Sequence, residues 1–173
     1  TIFANMKKAI LLFAFAALSL QNINATKRIY TKTDSIRAEK IMKQASSQPA
    51  GTNTIVYIGR QLLGVPYVAQ TLEKGKTEHL VINTMQLDCT TFVENVLAMY
   101  LCVQNKTTRF ADFCSNIQKI RYAGGKVSYP SRLHYFSTWI EDNTKKGIVQ
   151  EQQAPNPPFT AKQTIMANFM STH

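Results

Sequence analysis

Cys89 is the residue of this sequence that is best placed for covalent chemistry. It follows Asp88 and precedes Thr90 and Thr91, a run typical of the first turn of a helix. Unpaired N–H groups and the helix dipole stabilise an anion at that position, so a thiolate there would be favoured and nucleophilic. The alternative is a buried structural cysteine, since cysteine is also among the commonest core residues. The position leaves both interpretations open.

The apolar pattern on each side of Cys89 predicts a strand followed by a helix. The short β-branched run at 80–83 suits a buried strand. Downstream, apolar side chains recur at helical spacing and predict an amphipathic helix that ends near Val103: Phe92, Val93, Val96, Leu97, Tyr100 and Leu101. These two elements would hold the thiol at a junction between strand and helix.

The rest of the chain predicts several more helices and few strands, and therefore an α+β class. Helices are expected over about 33–46, where Ile36 and Met42 form a sparse apolar side, and over 53–62, 110–120 and 133–140. Gly64 suits the end of the second of these helices, because glycine is favoured at a helix C-terminus. A further strand is expected to begin at 147–149.

The N-terminal region has the pattern of a secretory signal peptide at residues 6–25. Lys7 and Lys8 are followed by an apolar run at 9–20, which is too short to span a bilayer comfortably, and then by a small residue, Ala25, suited to cleavage. Residues 1–5 would be upstream read-through, and residues 26–173 one domain. We therefore expect a periplasmic or secreted protein with no stable membrane anchor after cleavage.

Composition favours some partners and argues against others. The 173 residues carry a formal net charge of +10, spread along the chain without a nucleic-acid-binding motif, so no nucleic-acid partner is expected. A basic surface suits an anionic cell-wall polymer, membrane surface or acidic peptide, or serves solubility alone. Three scattered histidines offer no metal-ligand spacing, and no glycine-rich phosphate loop is present, so neither a metal nor another cofactor is expected.

The three cysteines are an odd number for an exported protein. Cys102 and Cys114 could form a disulfide or remain two buried thiols. We favour buried thiols, because two cysteines on neighbouring helices often fail the distance requirement of a bridge. In either case Cys89 would be the free thiol.

Two segments together resemble a known family. Residues 55–68 contain Leu-Gly-Val-Pro-Tyr at 63–67, and residues 87–93 read Leu-Asp-Cys-Thr-Thr-Phe-Val. This ordered pair resembles the NlpC-type papain-like cell-wall hydrolases. The segments at 71–73, 80–83 and 131–136 are closest to the N-acetylmuramoyl-L-alanine amidase-like branch, first catalogued as a domain of unknown function. The resemblance extends from about residue 55 to 173.

The resemblance implies a substrate and a reaction. Cys89 would attack the amide between N-acetylmuramic acid and L-alanine in peptidoglycan fragments (muropeptides) and form an acyl-enzyme that water then hydrolyses. Three alternatives stay open: a peptidase cutting within the stem peptide, a non-catalytic module that binds cell wall or muropeptide, and a secreted basic structural protein. The last leaves the two matching segments unexplained.

The catalytic base is where the sequence departs from the family pattern. The family carries a histidine on a downstream strand, in a His-Val-Gly-like motif that is missing from this sequence. The histidines at hand are His79, His134 and His173, of which His134 is a minor candidate for the base. We expect a C-terminally truncated fragment, inactive alone, that keeps the helix-rich N-terminal part of the papain-like fold without much of its antiparallel sheet.

Five further residues are candidates for substrate binding. Tyr67 could line a cleft near Cys89, and Arg132 could bind a peptide carboxylate as a bidentate fork, or form a surface ion pair instead. The other three could form an aromatic and polar wall, or be a helix histidine and ordinary core residues: His134, Tyr135 and Trp139. Glu94, one turn into the Cys89 helix, would be either a capping-type residue or a functional acid.

Overall fold

The computed structural model describes residues 27–150 and residue 152, and the predicted signal peptide, the read-through and His173 lie outside them. The described part has the α+β class that the sequence predicts, with five α-helices, two short 3₁₀-helices (Ala123–Gly125 and Tyr129–Ser131) and one small sheet. Its elements are β1 (Arg28–Ile29), α1 (Lys32–Ser46), α2 (Thr54–Gln61), β2 (Leu80–Val81), α3 (Cys89–Gln104), α4 (Phe110–Arg121) and α5 (Phe136–Lys145). None of these helices is both long and apolar enough to cross a bilayer.

The sheet consists of β1 and β2, which pair in parallel with Arg28 opposite Leu80 and Ile29 opposite Val81. The predicted strand at 80–83 therefore exists, although only its first two residues are paired. The partner β1 was not predicted, because two residues carry no periodicity. In residues 27–150 the only sheet is this parallel pair, and from the sequence we expect this chain to lack much of the antiparallel sheet of the papain-like fold.

Helix α3 is the centre of the packing, with α1, α2 and α4 against it. Its neighbour α2 packs against it at Gly59, where an added Cβ would lie in ordinary contact with the ring of Phe92, at 3.6 Å. The core is built from buried apolar side chains of α1, α3 and α4, among them Ala38, Met42, Ala98, Met99, Phe113, Ile117 and Ile120. Burial of this interior face fixes the start of α3 relative to the neighbouring helices.

Asp88 caps the start of α3, as the sequence predicts, and the structure adds a reciprocal bond from Thr91 that completes a capping box. Asp88 Oδ1 accepts a hydrogen bond from the backbone N–H of Thr91 at 2.7 Å, and the Thr91 hydroxyl accepts one from the Asp88 N–H at 2.9 Å. Each side chain satisfies a backbone donor that the helix cannot satisfy itself. The first helical residue is therefore Cys89.

Three details differ from the sequence predictions. Helix α5 begins at Phe136, not near 133, because the Leu133 N–H donates to the Arg121 carbonyl at 3.0 Å and holds this segment extended beside the end of α4. Residues 147–149 form no strand. Gly147 lies in a turn, with a φ of 68°, and the two residues after it are irregular. Ile36 is exposed, and α1 buries Ala38, Ile41 and Ala45 beside Met42 instead.

Cys102 and Cys114 are free, fully buried thiols, the arrangement that the sequence favoured over a bridge. Burial raises the pKa of both thiols to about 11. The Asn116 side chain donates to Cys102 Sγ at 3.2 Å, which partly offsets this effect. Neither thiol is suited to nucleophilic chemistry, because both stay protonated at neutral pH.

Asp34 links the start of α1 to the loop that follows β2. Its Oδ2 accepts from the Thr31 N–H at 2.8 Å, and its Oδ1 accepts from the Thr84 N–H at 2.7 Å and from the Thr84 hydroxyl at 3.0 Å. Burial by itself would raise the pKa of Asp34, but a hydrogen bond from the Thr31 hydroxyl at 2.6 Å, together with these three, outweighs burial and holds the pKa below its usual value. The first residue of α4, Phe110, is held similarly, with its N–H 3.1 Å from Glu39 Oε1.

We predict that Asp34→Asn lowers the free energy of unfolding at neutral pH by about 1–3 kcal/mol, the range for hydrogen bonds to a charged group. Because the folded-state pKa is depressed, the stabilisation is full above the unfolded pKa of about 4 and disappears as pH falls through the lower folded value. Urea unfolding from pH 7 down to pH 2 measures this. The gap between wild type and variant should close in acid, whereas a constant gap would contradict the assignment. The exposed Glu141→Gln is the control.

Candidate functional site

Cys89 lies exposed at the start of α3, on the wall of a cleft of about 260 Å³. We call this the Cys89 cleft. It is bounded by the end of α2, the segment after it, and the first turn of α3: Leu62, Leu63, Gly64, Val65, Tyr67, Leu87, Asp88, Cys89 and Phe92. Its surface is mostly apolar, so a substrate group could be shielded from water beside the thiol.

The two segments that carry the family resemblance meet at this cleft. Gly64 ends the α2 region with a φ of 78°, a left-handed conformation that glycine adopts without strain. The chain then runs beside the residue before Asp88, with the Leu87 N–H donating to the Pro66 carbonyl and the Val68 N–H to the Leu87 carbonyl, each at 3.1 Å. This pairing holds Tyr67, whose side chain is 73% exposed, at the mouth of the cleft.

The first turn of α3 offers hydrogen-bond donors next to the sulfur. The N–H groups of Cys89 and Thr90 come before the first intrahelical bond, so they are free to bind an anion. Among the described residues, no hydrogen bond engages Cys89 Sγ, and the cleft lining contains no histidine. The described residues therefore place an exposed thiol next to unpaired backbone N–H donors, without a histidine beside them.

A second cleft of about 170 Å³ lies on the other side of Asp88, which lines both clefts. We call it the Arg132 cleft. Its lining is polar and charged: Gln70, Leu72, Glu73, Asp88, Thr90, Thr91, Arg121, Arg132, Leu133 and His134. Of the predicted substrate-binding residues, Arg132 and His134 share this cleft, while Tyr67 belongs to the Cys89 cleft.

Arg132 is buried and only partly paired. Its Nη2 lies 2.7 Å from Glu73 Oε1, and its Nε lies 3.6 Å from Glu78 Oε1, which is too long for a hydrogen bond. Its guanidinium carbon is 5.2 Å from the centre of the Tyr129 ring, within cation–π range. The sequence proposed a surface ion pair as the alternative for Arg132, yet only its partner Glu73 is on the surface.

His134 is exposed and precedes α5, not within a helix as predicted. Its Nε2 lies 2.9 Å from the Tyr129 carbonyl, and because a carbonyl only accepts, Nε2 carries the hydrogen. The remaining nitrogen, Nδ1, would have to act if His134 were a base. His134 lines the Arg132 cleft and His79 is half-buried beside β2, so the structure brings neither into the Cys89 cleft.

Tyr135 and Trp139 have different environments despite their helical spacing. Tyr135 is 67% exposed just before α5, whereas Trp139 is buried. The Trp139 indole stacks on the Phe136 ring, with centroids 5.4 Å apart, and its Nε1–H donates to Glu94 at 3.3 Å. Trp139 thus takes the core position that the sequence left as an alternative, and Tyr135 keeps a free ring face.

Glu94 and Arg121 form a buried ion pair that sequence reasoning missed. Arg121 Nε lies 2.8 Å from Glu94 Oε2, and Arg121 Nη1 donates to the Val81 carbonyl at 2.6 Å. Both side chains are almost fully buried, at 3% and 2% exposure. Glu94 is therefore neither a cap nor an exposed acid. It connects the Cys89 helix to α4 through Arg121 and to α5 through Trp139, and Arg121 in turn bonds β2. The only sequence feature that pointed to such a pair was a charged residue on an apolar helix face.

A family model described as AmiA-like, N-acetylmuramoyl-L-alanine amidase-like, matches residues 57–168. A Bacteroides fragilis protein of known structure, provisionally described as a xylanase, is 42% identical over 66% of this chain and 51% of its own, with a TM-score of 0.55. Two structures of an N-acetylmuramoyl-L-alanine amidase from Bacteroides uniformis ATCC 8492 are 41% and 39% identical, with TM-scores of 0.49 and 0.47. Each aligns with 64% of this chain.

This chain spans about half of the B. fragilis structure, and 41% and 40% of the two B. uniformis structures. No curated protein matches it. The family model covers most of the described residues, including both segments that form the Cys89 cleft. The chain belongs to the N-acetylmuramoyl-L-alanine amidase-like family.

Proposed function

We propose that the protein is an exported cysteine amidase that cleaves the bond between N-acetylmuramic acid and L-alanine in peptidoglycan fragments. The observation that carries this proposal is the exposed Cys89 thiol at the first position of a 16-residue helix, on the wall of a cleft. Family membership and the amidase name of the B. uniformis structures support the substrate. An NlpC-type papain-like fold and a periplasmic or secreted location belong to the same proposal.

The chemistry follows from the position of the thiol. The thiolate attacks the lactyl carbonyl carbon, and the developing oxyanion is bound by N–H groups of the first helical turn, such as that of Cys89. The carbon–nitrogen bond then breaks, and the alanine nitrogen leaves with a proton as the free peptide amine. Water attacks the resulting thioester, which releases the sugar acid and restores the thiol.

This scheme needs a group that accepts the thiol proton and later gives it to the leaving amine. The described residues place His134 in the neighbouring cleft, where its Nε2–H is already donated to a carbonyl. We therefore assign the base to a histidine outside the described residues, as the family resemblance implies. His134 stays a candidate for substrate contact.

The provisional xylanase description of the B. fragilis structure implies a different reaction class for that protein. A glycosidase needs two carboxyl groups facing each other across the scissile bond. Asp88 and Glu73 do line one cleft here, but the Asp88 carboxylate caps α3 and the Glu73 carboxylate pairs with Arg132. No observation in the described residues favours glycoside hydrolysis.

The test is to incubate the product of the complete gene with a purified muropeptide and identify the products by mass spectrometry. We expect free N-acetylmuramic acid and a peptide beginning with L-alanine. Shorter peptides still attached to sugar would support the stem-peptide peptidase instead. Binding without cleavage would support the non-catalytic module, and release of sugars from xylan with intact muropeptide would overturn the amidase proposal.

A further inference from the structure

Arg132 has a donor that nothing in the described residues uses. Its side chain is 6% exposed, and its buried Nε has no hydrogen-bond partner. Buried polar groups in folded proteins are nearly always hydrogen-bonded, and a guanidinium carries five donors. Because Arg132 lines a cleft, a ligand that enters there meets a buried guanidinium whose hydrogen bonds are not all made.

The two acids beside Arg132 are not equivalent. Glu78 is 10% exposed and lies too far from Nε for a hydrogen bond, whereas Glu73, at 2.7 Å from Nη2, is 56% exposed. An exposed carboxylate can leave a partner and regain water at little cost, since ion pairs with an exposed member contribute little. Glu73 is therefore the exchangeable partner of a buried cation.

The cleft wall also contains a constrained backbone. Gln70 lines the cleft and has a φ of 58°, a left-handed conformation that is uncommon for residues other than glycine. Such conformations persist where the surrounding structure enforces them, and they concentrate at ligand sites. Gln70 thus gives the wall of the Arg132 cleft a constrained backbone.

We propose that the Arg132 cleft is a subsite for a carboxylate of the substrate peptide, and that Glu73 occupies Arg132 until the substrate displaces it. This inference rests on the proposed function for the identity of the peptide. The exchange replaces the Glu73 carboxylate on Nη2 with that of the substrate while Glu78 stays beside Nε, so the buried guanidinium keeps its acidic partners throughout. Arginine also suits the task, because its planar fork binds a carboxylate through two parallel hydrogen bonds.

The position of the cleft fits a substrate that reaches Cys89. Asp88 lines both clefts, and Thr90, the residue after Cys89, lines the Arg132 cleft. A ligand anchored at Arg132 needs to cross only the first turn of α3 to bring an amide to the thiol. The carboxylate would thus determine which part of a muropeptide lies on which side of the nucleophile.

The test measures binding by calorimetry in a Cys89→Ala background, which prevents turnover. The probes are N-acetylmuramoyl-L-alanyl-D-glutamate, the same compound with both glutamate carboxylates converted to carboxamides, and free N-acetylmuramic acid. We expect the carboxylate to bind about tenfold tighter than the carboxamide, as a lost charge-assisted hydrogen bond predicts. Arg132→Gln should abolish this preference, and Arg132→Lys, which keeps the charge and guards against misfolding, should retain part of it.

Glu73→Gln gives the sharper result. Because it weakens the internal competitor, it should tighten binding of the carboxylate compound several-fold and leave the carboxamide unchanged. Glu141→Gln is the matched control, since Glu141 is another exposed acid in an ion pair, with Lys145. Equal binding of carboxylate and carboxamide, or no gain with Glu73→Gln, would overturn the proposal. A gain confined to free N-acetylmuramic acid would also overturn it, because the lactyl group and not the peptide would then supply the carboxylate.

These binding results are separate from the amidase assay. Carboxylate preference together with cleavage of a different bond would leave the subsite standing while the proposed reaction fails. Cleavage of the expected bond without carboxylate preference would support the proposed reaction and overturn the subsite.

Discussion

Replacing Cys89 with serine should lower the rate of muropeptide hydrolysis by about 10⁴-fold or more, as loss of a nucleophile does in other covalent hydrolases. A serine hydroxyl at this position is not ionised at neutral pH, so the first turn of α3 has no anion to stabilise. The Cys89 side chain is exposed and makes few packing contacts, so stability should change little. Steady-state kinetics and thermal unfolding of the two proteins measure both effects.

The buried thiols supply the control for this prediction. Cys102→Ala should retain hydrolysis, because Cys102 lies in the core and its pKa is raised to about 11 by burial. Iodoacetamide should alkylate one thiol of the described residues in the native protein, Cys89, and abolish activity as it does so. Hydrolysis by Cys89→Ser at the wild-type rate, or by fully alkylated protein, would remove the nucleophile assignment.

Glu94→Ala should lower the free energy of unfolding by about 3–5 kcal/mol, the cost of removing one partner from a buried ion pair. The variant leaves the Arg121 guanidinium buried against an apolar core and also removes the acceptor of the Trp139 indole N–H. Urea unfolding at pH 7 measures this loss. Because Glu94 is five residues from Cys89, the first turn of α3 should also change its position in this variant.

Two comparisons test the physical cause of the Glu94 effect. The double variant Glu94→Leu, Arg121→Met replaces both charges by apolar groups and should recover most of the lost stability. Glu141→Ala breaks an exposed pair with Lys145 and should cost less than about 1 kcal/mol. Equal costs for Glu94→Ala and Glu141→Ala would show that burial of the pair does not matter.

Features set by neighbouring residues were predictable from the sequence. The Asp88 cap, the helix start at Cys89 and the glycine turn at Gly64 each depend on residues within one turn of each other. Tyr67, which follows Pro66 and was a candidate for a cleft near Cys89, does line one cleft with it, although that contact is not local. Local hydrogen-bonding preferences and backbone conformations decide the other three features, so the sequence carries them directly.

Features set by distant residues could not be predicted. Glu94 finds Arg121 across 27 positions, and Arg132 finds Glu73 across 59, pairings that no periodicity encodes. Tertiary pairing also decided where α5 begins, since a backbone hydrogen bond from Leu133 to Arg121 overrides the helical pattern at 133–135. The division of the site into an apolar and a charged cleft depends on these contacts.

The link between Asp34 and Thr84 has a consequence for synthesis. The two residues are 50 positions apart, and the contact from Glu39 to Phe110 spans 71. When the first helix leaves the ribosome, Thr84 and Phe110, which donate to its acidic side chains, have not yet been translated. Such long-range closure slows folding, so the nascent chain should stay open until the fourth helix has emerged.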